Sequence, residues 1–176
     1  MSITDSSLPA QTVQCQTIKN WQRWLVRLLG RAPTLLIAED EDETLTSLIA
    51  WFEYAGFDVR GVRDGSELLV LLEPILQGEE GDWWQPDAIM TDLRMPGVEP
   101  FNLVEGLRYV GVGTPIVVVS AFGDNNIRRR VDAMECASFV AKPFDIIALY
   151  KTVCQAIYRQ HRNSSTATAA GVSPPV

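Results

Sequence analysis

Apolar and polar positions along the chain follow two different periods. Residues 34–38 form a short apolar run that predicts a strand. Leu45, Leu48, Ile49 and Phe52 then recur at helical spacing. Gly56 is placed to cap that helix at its C-terminus. Residues 57–62 predict a second strand, and Asp64-Gly65-Ser66-Glu67 opens a second helix, which Pro74 is expected to bend or shorten. The pattern repeats three more times. A strand over 87–91 precedes a helix over about 101–109, and a β-branched strand over 115–119 precedes a helix over about 124–134. A strand over 138–141 precedes a helix over 145–159, whose inner face carries Ile146, Leu149, Val153, Ala156 and Ile157. Strand–helix units in unbroken succession predict an α/β fold, a doubly wound parallel sheet covered on both faces.

The flanks read differently. Residues 1–16 are polar and aperiodic and are expected to be mobile. Over 17–31, Ile18, Trp21, Trp24, Leu25, Leu28 and Leu29 predict an amphipathic helix, ended by Gly30 and Pro33. Residues 163–176 read as a flexible tail. The expected organisation is an N-terminal extension (1–33), a body (34–160) and a tail (161–176). The extension's helix has three readings: packing on its own body, pairing in a homodimer, or lying on an anionic membrane through its basic face and tryptophans. Packing or pairing is the more ordinary outcome.

Composition narrows the function classes. A length of 176 residues suits one domain with extensions, and 47% apolar residues supply a core. The net charge is -7, split as +3 over 1–33 and -10 over 34–176. Such an acidic body is a poor general nucleic-acid binder. Cys15, Cys136 and Cys154 are scattered, and His161 is the single histidine, which excludes a zinc site and a histidine-based triad. Odd, scattered cysteines fit a reducing cytoplasm, the expected location. No apolar run approaches the ~20 residues of a membrane span.

The candidate chemistry lies where polar residues end apolar runs. Glu39 and Asp40 follow the first strand, Asp92 ends the third, Ser120 the fourth and Lys142 the fifth. Open parallel sheets bind ligands beyond the carboxyl ends of their strands. Three carboxylates in one cleft repel unless a cation is bound or a proton is taken up. An all-oxygen site without histidine or cysteine suits Mg²⁺. A carboxylate beside Mg²⁺ can attack phosphorus to give an acyl phosphate, with Lys142 and Ser120 as partners for the phosphoryl oxygens.

The motifs carrying these residues are Leu-Leu-Ile-Ala-Glu-Asp-Glu-Asp at 35–42, Pro-Asp-Ala-Ile-Met-Thr-Asp-Leu-Arg-Met-Pro-Gly at 86–97, Pro-Ile-Val-Val-Val-Ser-Ala-Phe-Gly-Asp at 115–124 and Val-Ala-Lys-Pro-Phe-Asp at 140–145. In that order and spacing, roughly 34–160 resembles the receiver domain of two-component response regulators, of the single-domain kind typified by chemotaxis regulators. The resemblance implies a five-stranded flavodoxin-like sheet of order 2-1-3-4-5, and it implies a role for each matching position. Asp92 matches the phosphoacceptor. Asp40 matches a direct Mg²⁺ ligand, and Glu39 matches the neighbouring acid that acts through water. The backbone carbonyl of Arg94 matches a further metal contact. Ser120 matches the switch hydroxyl, Lys142 the family's lysine before a cis proline, and Phe139 the aromatic that turns inward on activation. It further implies a phosphoryl donor, a sensor histidine kinase or phosphotransfer protein. The implied downstream protein partner binds around the 124–134 helix, the 138–141 strand and the 145–159 helix.

Some positions depart from the family pattern. Pro100 and Glu135 stand where glycine is common, and 77–85 lengthens a connection; none touches the acid pocket. A haloacid-dehalogenase-type hydrolase would need a second acid two residues after Asp92, where Arg94 stands. The short polar tail leaves no room for a helix-turn-helix domain, so a stand-alone switch without direct DNA binding is expected. A constitutive docking module remains the alternative. Phe139 reads equally as fixed core, Trp83-Trp84 as edge cover or partner contact, and Arg128-Arg129-Arg130 as a solvated face or docking patch. Neither Arg94 nor Phe122, two residues past Asp92 and Ser120, can orient a hydrolytic water, so self-dephosphorylation is expected to be slow.

Overall fold

Residues that alternate between two apolar faces can be buried only if both faces of a sheet are covered. In the computed structural model this is what the strands do. The structure describes residues 10–77, 84–93, 95–97, 100–109, 112–121, 125–134, 137–164 and 174–175. In chain order the elements are α1 (Ala10–Leu29), β1 (Thr34–Ala38), α2 (Asp42–Tyr54), β2 (Asp58–Val62), α3 (Gly65–Leu76), β3 (Ala88–Asp92), α4 (Pro100–Tyr109), β4 (Ile116–Ser120), α5 (Asn125–Asp132), β5 (Ala137–Ala141) and α6 (Ile146–Ser164). The five strands are parallel in the order β2-β1-β3-β4-β5.

Successive residues of the central strands enter opposite cores. Leu35, Ile37, Ala88, Met90, Val117 and Val119 face α1, α2 and α6, where they meet Phe52, Tyr150 and Val153. Leu36, Ala38, Ile89, Ile116 and Val118 face α3, α4 and α5, where they meet Leu68, Leu72, Leu107 and Val131. Glycine matters at two turns. Gly56 (φ +92°) follows α2 in a left-handed conformation, with Phe57 N–H bonded to Phe52 O and Gly56 N–H to Glu53 O. Gly97 (φ +97°) seats the loop after β3 against the start of α3, where Gly65 N–H donates to Pro96 O at 2.7 Å. A side chain at Gly97 would press on the backbone of Gly65 and Ser66.

Beyond shifts of one or two residues at other ends, three helices differ from the sequence expectation. Helix α1 runs Ala10–Leu29 rather than 17–31, so 10–16 is not aperiodic chain. Its first turns, Ala10-Gln11-Thr12-Val13-Gln14-Cys15-Gln16, mix alanine and glutamine, good helix formers, with weaker ones, and extend a helix nucleated by the packing of Trp21 and Leu25. Helix α3 continues two residues past Pro74 to Leu76, because a proline in the last turn removes only one N–H bond. Helix α6 reaches Ser164, and Arg162 near its end suits the negative pole of the helix.

The extension's helix packs on its own body. Trp21 and Leu25 are fully buried among Phe52, Ala55, Phe57, Cys154 and Ile157. Tyr150 donates its hydroxyl to Ile18 O at 3.2 Å, and Trp24 meets Tyr158 edge-on at 5.0 Å. Beyond the helix, Arg31 grips Asp87 with two bonds of 2.7 and 2.9 Å, and Asp87 also accepts from Thr34 N–H at 2.7 Å. No described helix is long and apolar enough to cross a membrane.

Candidate phosphorylation site

Parallel register decides which side chains meet. Ala38 pairs with Thr91, Asp92 with Val119, and Ser120 with Ala141, so the carboxyl ends of four strands finish level. Glu39 follows β1, its N–H held by Val62 O. Asp92 is the last residue of β3, Ser120 the last of β4, and Lys142 follows β5, its N–H donating to Ser120 O at 2.8 Å. The Lys142–Pro143 peptide is cis.

Carboxylate oxygens of Glu39, Asp40 and Asp92 lie within 4.8 Å of one another. Glu39 is buried at 4% exposure, Asp92 is half-buried and Asp40 is exposed. Lys142 Nζ donates to Glu39 Oε2 at 2.7 Å and to Asp92 Oδ2 at 2.6 Å. Burial pushes the Glu39 carboxyl above its ordinary range, and the Lys142 ammonium pulls against that shift. For Lys142 burial works against the charge, but its bonds to Asp92 and Glu39 outweigh burial and raise its pKa. One ammonium against three carboxylates leaves an excess of negative charge on oxygen donors alone. That donor set fits a hard divalent cation.

Ser120 is buried at 1% exposure beside this cluster. Phe139 lies on β5, partly buried against the core that contains Val118 and Val131. Thr91, a position the sequence reading passed over, is fully buried and donates its hydroxyl to Asp92 O at 3.0 Å. Its signal was hidden because threonine is an ordinary strand residue. Arg94, Phe122 and Trp83, singled out in the sequence, lie outside the described residues. Trp84 covers the edge of β2, its Nε1 donating to Asp58 Oδ2 at 3.1 Å with the Arg60 guanidinium 4.5 Å from its ring. Arg128, Arg129 and Arg130 are exposed on α5, and Arg130 stacks 3.9 Å over Phe101.

The response regulator receiver domain model matches residues 35–154, a stretch that holds all five strands but for Thr34 and every described pocket residue. The chain belongs to that family. This receiver is 30% identical over 141 residues to the transcriptional regulatory protein PrrA of Mycobacterium tuberculosis, covering 79% of this chain and 54% of PrrA. It is 28% identical over 128 residues to the regulatory protein AtoC of Escherichia coli, covering 72% of this chain and 25% of AtoC. The chain thus spans a quarter to about half the length of these curated relatives. The receiver domain of the Francisella response regulator 1452 superposes with a TM-score of 0.61 at 25% identity, covering 72% of this chain and 98% of that one. Receiver domains are in general signalling switches of two-component systems rather than enzymes, and bind Mg²⁺ at an acidic pocket. In this receiver the acidic cluster is Glu39, Asp40 and Asp92.

Proposed function

We propose that this receiver is a switch operated by phosphorylation of Asp92, with Mg²⁺ held by Glu39, Asp40, Asp92 and the Arg94 backbone carbonyl. The supporting observation is Lys142 Nζ within hydrogen-bond distance of both Asp92 and buried Glu39, next to Asp40. Bound Mg²⁺ would offset the carboxylates and the phosphoryl oxygens. An Asp92 oxygen attacks phosphorus. An O–P bond forms, the donor's bond to phosphorus breaks, and the leaving group departs with the electron pair. From a phosphohistidine of a sensor kinase or phosphotransfer protein, that leaving group is the imidazole. Lys142 holds the attacking carboxylate and then pairs with a phosphoryl oxygen, and Ser120 donates its hydroxyl to another. Drawing Ser120 toward the site frees room that Phe139 fills, which changes the surface of α5, β5 and α6 offered to a downstream partner.

The functional unit of this reading is residues 34–160, with 1–33 as an extension, 161–176 as a tail, and the cytoplasm as its location. The test uses acetyl phosphate as donor. Intact-mass measurement is expected to show one added phosphoryl group with Mg²⁺ and none with a chelator. No gain under either condition would instead favour a docking module that takes no phosphate.

A further inference from the structure

Helices α1 and α6 run side by side in the same direction. Ile18 meets Tyr150, Trp24 meets Tyr158, and Leu29 and His161 border one groove. Together they carry Lys19, Arg23, Arg27, Lys151, Arg159 and Arg162, and not one Asp or Glu. These are six of the chain's fifteen Lys and Arg and none of its twenty-two acids. The net charge of -7 therefore divides into +6 on these two helices and -13 over the remainder.

Lys19, Arg23 and Arg27 recur every four residues, a single exposed row opposite the buried Trp21 and Leu25. On α6, Arg159 and Arg162 are exposed and Lys151 half-exposed, away from the buried Val153, Cys154 and Ile157. Among the described residues none of the six meets a carboxylate at ion-pair distance. Helix α2, whose Gly56 turn lies against Gln22, carries Asp42, Glu43 and Glu53; Asp42 is paired with Arg63, and neither glutamate makes an ion pair among the described residues. Like charges four apart on a helix disfavour one another. Among the described residues the row finds no counter-charge, so it works against α1 and would gain from one supplied by another molecule.

We infer that the α1–α6 face is a docking surface for an acidic protein segment, with carboxylates spaced along a helix or strand. This inference is independent of the chemistry at Asp92. A bilayer fits less well, because Trp21 and Trp24, the anchors such contact needs, are turned into the protein's own core. A flat anionic surface or long polyanion would also meet the acidic remainder, whereas a short segment meets only the basic face.

The experiment measures binding of the full chain to a labelled glutamate-rich helical peptide, to phosphatidylcholine–phosphatidylserine vesicles and to a short DNA duplex. The variants are Arg23→Glu/Arg27→Glu, Lys151→Glu/Arg159→Glu and, on α5, Arg128→Glu/Arg129→Glu. Peptide binding is expected for the wild type and should weaken with added salt. It should fall roughly fivefold to tenfold with either α1 or α6 reversal, and hardly with the α5 reversal. Melting curves verify folding. If a reversal unfolds the chain, Arg23→Gln/Arg27→Gln is expected to give a smaller loss in the same direction. Absence of peptide binding, indifference to the α1 and α6 variants, or capture of vesicles or duplex in preference to peptide would each overturn the inference.

Discussion

At the scale of single residues, the pocket is a set of charges that disfavour one another. Asp40 adds a third carboxylate without touching the Lys142 ammonium that holds the other two. Asp40→Asn is therefore expected to raise the melting temperature of the metal-free protein slightly, by roughly 1–2 °C, and to weaken the further rise that Mg²⁺ produces. A lower metal-free melting temperature with an undiminished Mg²⁺ effect would remove Asp40 from the metal site. Ser120→Ala should still take up phosphate but lose most of the activation-dependent change in tryptophan fluorescence; an unchanged response would take the switch away from Ser120. The residues at strand ends were legible because a carboxylate or lysine closing an apolar run stands out. The Arg31–Asp87 pair was not, since 56 residues separate its members and nothing in either neighbourhood announces the other. Replacing Asp87 by alanine leaves Thr34 N–H and Arg31 without this partner and is expected to cost about 1–3 kcal/mol in urea unfolding.

At the scale of elements, period and capping residues located every strand and helix of the body. Where they fell short, the deciding term lay outside the local pattern. The first turns of α1 carry little apolar signal and are helical because Trp21 and Leu25, further along, fix the helix on α2 and α6. Three destinations for that helix fitted the same stripe, and only tertiary packing selects the groove floored by Phe52, Phe57 and Tyr150. Trp21→Ala should therefore destabilise the whole receiver by roughly 3–5 kcal/mol in a single unfolding transition. A separate early transition, or a loss below about 1 kcal/mol, would mean that α1 is an appendage. Burial also pushes the Cys154 thiol well above its ordinary range. Alkylating reagents at neutral pH should modify Cys154 only once the protein is unfolded, and rapid modification of the native chain would contradict the packing between α1 and α6.

At the scale of the whole molecule, the fold assigns separate tasks to separate regions. Two cores on opposite sides of one sheet fix the strand ends, and the level ends of β1, β3, β4 and β5 gather the acids and Lys142 at the carboxyl edge. The charge is polarised as well, with the cations of α1 and α6 on one face of an otherwise acidic body. The order of the strand-end polar groups was legible in the sequence, and order and parallel register together determine which of them meet. The central claim is that Asp92 carries the phosphoryl group, and Asp92→Asn tests it most directly, since the amide keeps the side chain's shape and removes its nucleophilic oxygen. Wild type and variant are incubated with acetyl phosphate and Mg²⁺, and their intact masses are followed over time. The wild type is expected to gain one phosphoryl group while Asp92→Asn gains none; an equal gain at an equal rate in both would contradict the account.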